Sequence, residues 1–152
     1  MNMQTFTLLM ARCNIYFYEN TPHRALEMLE EQGPALLKSG VLRLKVNRWR
    51  HQLLPARAQA AVLELQKGLP QKEIKARVSR GRRLLKGILK EVPPWIQGTV
   101  FIVDARFRFL LGEREGAMAS MVEGIELLRA ASVVGLLRGG EWRLGAWVGG
   151  AE

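Results

Sequence analysis

Two stretches of this chain repeat apolar residues at alternating intervals of four and three, and that rhythm commits much of it to helix. Leu42, Val46, Trp49, Leu53, Ala56, Ala60 and Leu63 form one series; Ile74, Val78, Gly81, Leu85, Ile88 and Val92 form the next. On an α-helix such intervals return to the same side, so each series is a stripe that another element has to cover. Breakers divide the rest. Asn20-Thr21-Pro22, Gly33-Pro34, Gly40, Gly68, Pro93-Pro94 and Gly112 mark ends, and the expected helices run over about 4–18, 22–32, 42–67, 70–92, 95–111, 115–131 and 133–147. Thr21 is expected as an N-cap with Pro22 in the first helical position. Pro55 predicts a kink within the third helix. The fifth is apolar nearly all round, which suits the middle of a layered stack, and the glycines of the last make it the weakest. No strand alternation is convincing, so the class is all-α.

The chain has 152 residues, enough for one domain with a core of its own, and its 48% hydrophobic and 24% charged residues exclude collagen-like and disordered classes. One cysteine, Cys13, rules out a disulfide framework, and two histidines, His23 and His51, offer little for metal or acid–base chemistry. There is no nucleotide-binding glycine loop and no kinase or P-loop motif. These features argue against an enzyme and call for no cofactor. The opening residues lack a signal-peptide pattern, and no uncharged apolar run is long enough to span a bilayer, so the expected compartment is cytoplasmic.

Helices joined by short turns suggest an array of hairpins. Cys13 lies twelve residues before Ala25, and Ala105 twelve before Ala117; Leu29 and Met121 follow those alanines by four. Small residues at such offsets let paired helices approach closely. The spacing resembles a loose tetratricopeptide repeat, without its usual Trp and closing Pro, giving three hairpins plus a terminal helix in a single domain. The run from Ile15 to Leu26 with its Arg24-Ala25-Leu26, and the stretches 31–62, 93–128 and 134–150, are together similar to the tetratricopeptide-like C-terminal region of large bacterial serine/threonine kinases that also carry an ATPase-like domain. That resemblance implies a non-catalytic interaction or sensing module in signalling, a kinase or ATPase partner in the same or another chain, and a sequence that is either a piece of a longer protein or a stand-alone one. It carries over no catalytic residue.

Charge is uneven. Residues 38–90 hold 15 Lys and Arg against two acids, a net of +13, while the remainder holds 8 bases and 12 acids, a net of −4. Arg43, Arg50 and Arg57, seven apart, are expected as one cationic row on the third helix, facing a carboxylate or phosphate. On the fourth helix Lys72, Lys75, Arg77, Arg80, Arg82, Arg83, Lys86 and Lys90 make a basic amphipathic face. Lys75, Arg82, Arg83 and Lys86 are the candidate partner-binding residues there. The leading expectation is binding of an acidic peptide or protein segment; the alternative is a small helical nucleic-acid-binding protein using residues 38–90. In the last helix Trp142 and Trp147 cannot share one narrow stripe, so at least one is expected exposed, marking either a truncated array or a docking surface for a second copy or a missing continuation.

Overall fold

Asn2 starts the first helix of the computed structural model, which describes residues 2–149. Its side-chain oxygen accepts from the Thr5 amide at 2.9 Å, satisfying one of the donors that a helix start leaves open. Seven α-helices follow one another: α1 (Met3–Tyr18), α2 (Pro22–Lys38), α3 (Lys45–Leu65), α4 (Gln71–Leu89), α5 (Pro94–Leu110), α6 (Arg114–Ala130) and α7 (Val134–Gly149). A short 3-10 helix, Gly40–Arg43, precedes α3, and no strand occurs among the described residues. The all-α class is therefore established. The chain divides into two compact units, Met1–Leu84 and Leu85–Glu152, with α4 crossing the division.

In the first unit α1 packs on α2 and α3, and α2 packs on α3 and the 3-10 helix. Their shared core joins Phe6, Leu9 and Cys13 of α1, Leu29 and Leu36 of α2, and Leu54 of α3. Thr21 is the residue before α2, but its hydroxyl does not cap that helix. It donates back to the Tyr16 carbonyl at 3.3 Å, closing a turn in which Asn20 takes a left-handed φ of 58°. The break expected at Gly33-Pro34 is absent: α2 continues to Lys38 with Pro34 inside it. Continuing the helix puts Leu36 fully into the core, and that burial offsets much of the cost of a proline inside a helix.

The third helix starts three residues later than the apolar series. Val41 is drawn into the 3-10 turn, where its carbonyl accepts from the Asn47 side chain at 3.0 Å, and Asn47 is itself buried. α3 is unbroken through Pro55. Every residue from 51 to 64 is at least half-buried, so the single stripe of the sequence becomes an enclosed helix. On α4 the series behaves as expected, with Val78, Gly81, Leu85 and Ile88 buried.

In the second unit α5 and α6 meet at two glycines. A Cβ added at Gly98 would lie 2.8 Å from the Gly124 carbonyl oxygen, and one at Gly124 would lie 2.7 Å from that of Gly98. Only residues without side chains allow that approach. Ala105, Phe107, Ala117 and Met121 are buried in this unit, whereas Phe101 is half-buried, as is Trp49 of α3 in the first. At the hairpin turn Arg108 donates to Asp104 at 2.7 Å and reaches Glu113 at 3.7 Å while lying against Gly116. α7 packs on α6, bringing Gly140 against Ile102 and Ile125. Trp147 stacks on Phe109 with centroids 4.3 Å apart, and Trp142 stays 73% exposed.

Candidate functional site

The strongest concentration of charge on any described element is α4. From Gln71 to Lys90 the sequence carries eight bases and one acid, Glu73. Glu73 is taken by Arg77, one turn on, at 2.5 Å, and Arg77 also donates to Gln66 at 3.2 Å. Arg82 is half-buried and already engaged. Lys72, Lys75, Arg80, Arg83, Lys86 and Lys90 are exposed, and none has an ion pair among the described residues. Lys72, Lys75, Arg83 and Lys86 follow at intervals of three, eight and three, which keeps them on one side of the helix, opposite buried Val78, Leu85 and Ile88, and Lys90 lies just past its end. This placement follows from amphipathicity: burial of the apolar stripe presents the cations to water. Of the four expected α4 residues, Lys75, Arg83 and Lys86 form this surface and Arg82 stands at its edge.

The three-arginine row does not hold together. Arg43 belongs to the 3-10 helix rather than to α3, so helical spacing does not relate it to the other two. Arg50 is exposed on α3. Arg57 is turned toward α1: its guanidinium lies 4.3 Å from the centre of the Phe17 ring and donates to the Asn14 side-chain oxygen at 3.4 Å. It ties α3 to α1, a structural use of its planar cation.

The other reactive side chains are placed against chemistry. Cys13 is fully buried, and burial pushes its thiol up to about 11, so it stays protonated at neutral pH. Burial pushes the His51 imidazole below its usual value, and its Nδ1 is enclosed without a hydrogen-bond partner among the described residues, as are Trp49 Nε1 and Gln59 Nε2. No group of three or more potential metal ligands gathers among the described residues. No helix among them is long and apolar enough to cross a membrane.

Sequence reasoning missed one concavity. Between α1 and α2 an open groove of about 450 Å³ is lined by the apolar Leu8, Leu9 and Met28 and by the charged Arg12, Glu27 and Glu31. Arg24, also lining it, rests over the Tyr16 ring at 4.8 Å. Its charges are of both signs, so no run of like charge marked it in the sequence. Comparison with protein-family models, with curated proteins and with solved structures returned no match.

Proposed function

We propose that this chain is a non-catalytic helical-repeat interaction module that takes up an acidic protein or peptide segment on the exposed face of α4, in signalling or complex assembly. The observation that carries this reading is the set of exposed cations on α4 that make no ion pair among the described residues. Such a face holds a field that a carboxylate-rich partner neutralises, and it offers several charge-assisted hydrogen bonds along one line. The matching burial of Cys13, Ala25 and Leu29 in one hairpin and of Ala105, Ala117 and Met121 in another supports a tetratricopeptide-like design. A cytoplasmic setting and a kinase or ATPase partner go with that likeness. Aromatic side chains for stacking bases are missing from the α4 sequence, so an acidic protein is favoured over nucleic acid.

The test compares a labelled Glu-rich peptide with duplex DNA on the wild type and on a Lys75→Gln, Arg83→Gln, Lys86→Gln variant. The expected result is peptide binding that falls at least about tenfold in the variant, with an unchanged melting temperature. Tighter binding of DNA, with log affinity falling against log salt by about 0.9 per phosphate contacted, overturns this reading for the nucleic-acid one.

A further inference from the structure

The outer face of α6 is the chemical opposite of α4. From 115 to 128 this helix carries three acids, Glu115, Glu123 and Glu126, and no base. All three are exposed and none has an ion pair among the described residues, whereas Glu73, Glu113 and Glu141 are each paired. Between them Met118 and Val122 are 38% and 41% exposed. The acids of α2 are a poorer counterpart: Glu27 and Glu31 share their groove with Arg12 and Arg24.

We propose that the acidic segment bound by α4 is this face of α6 in a second copy of the chain. The inference rests on the reading of α4 given above. Two observations select the occupant. Charge is the first, three unpaired carboxylates against at least three unpaired cations. Spacing is the second: Lys75 and Lys86 are eleven residues apart, as are Glu115 and Glu126. Eleven residues make close to three helical turns, about 16 Å along the axis, so both ends of each set lie on one side and can be met together. Ala76, Ser79 and Gly87 are exposed among the α4 cations and leave room for Met118 and Val122, over which the lysine stems can lie. Because the joined surfaces differ, the contact is heterologous, and copies add in a ring or an open series.

The experiment measures mass by sedimentation velocity against concentration, from about 50 mM to about 500 mM salt. One variant carries Lys75→Glu, Arg83→Glu and Lys86→Glu; the other carries Glu115→Lys, Glu123→Lys and Glu126→Lys. The wild type is expected to associate at low salt and dissociate at high salt. Each variant alone is expected to stay monomeric with unchanged helicity, and an equimolar mixture to associate again. A monomeric wild type at low salt, or a mixture of folded variants that stays monomeric, overturns the proposal. So does association that survives reversal of α4 but is lost on Trp142→Asp, which moves the interface to α7. If the wild type stays monomeric yet binds the Glu-rich peptide, self-recognition fails and the α4 reading stands; if it binds neither, both fail.

Discussion

The two units are built by opposite means. In residues 1–84 large side chains from three helices converge: Phe6 and Leu36 fill the middle, and Arg57 reaches across to the Phe17 ring. In residues 85–152 the closest contact is made by what is missing, the side chains of Gly98 and Gly124, which let the α5 and α6 backbones touch. The first kind of core loses stability when atoms are removed; the second loses it when atoms are added. Glycine thus has two meanings in this chain. Gly98 and Gly124 are crossing points, while Gly139 has nothing within 4 Å of where a Cβ would sit.

The comparison can be broken by substitutions of graded size. Phe6→Ala, which empties a fully buried ring site, is expected to cost about 3–5 kcal/mol in urea unfolding. Hydrogen exchange should speed up in α1–α3 before α5 and α6. Gly124→Ala comes next, at about 1–3 kcal/mol destabilising. Alanine gains up to about 1 kcal/mol of helix propensity, but the obstructing atoms include the Gly98 carbonyl and the Ile102 amide, which yield only if a helix moves. A neutral result would remove the distinction between the units. Arg57→Gln should lower stability by about 0.5–1 kcal/mol, whereas Arg43→Gln and Arg50→Gln leave the melting temperature where it is. Gly139→Ala should raise stability by about 0.5–1 kcal/mol, the reverse sign to Gly124→Ala.

A pH scan sharpens the same contrast, because both histidines lie in the first unit. The folded-state value of His51 is depressed, so the unfolded chain binds the extra proton more readily. Stability is complete above the ordinary imidazole value of 6.5 and falls as pH drops below it. His51→Gln should flatten that part of the curve. At the alkaline end the raised Cys13 thiol acts in the other direction: stability falls as pH rises from 9 toward about 11, and Cys13→Ala removes that slope.

Much of the helical layout was legible because four-three spacing is a local property. Each of the seven expected helices corresponds to one observed, and the α4 face followed from its stripe. What escaped depended on distant residues. Gly33-Pro34 reads as a break until Leu36 has a core to enter, and Leu42 reads as helical until Asn47 holds the Val41 carbonyl. The seven-residue spacing of Arg43, Arg50 and Arg57 showed a period but could not show that Phe17 and Asn14, about forty residues earlier in the sequence, claim the last of them. Nothing in the sequence marked Gly98 and Gly124 as a contact, since a crossing is a property of two segments at once. The acids of α6 were in view throughout, but their meaning emerged only once their neighbours on α7 and in the α5–α6 turn proved to be paired.

The density of lysine and arginine on α4 also makes this helix a dense row of trypsin sites, eight between Gln71 and Lys90. A protease needs the chain unwound, so cutting there reports how often the helix opens rather than how exposed its side chains are. When reclosing outpaces cleavage, the nicking rate measures the open fraction directly, and any acidic segment seated on the closed helix slows nicking in proportion to its occupancy. The same basic residues that make the surface attractive to a partner therefore act as a built-in clock for its departure.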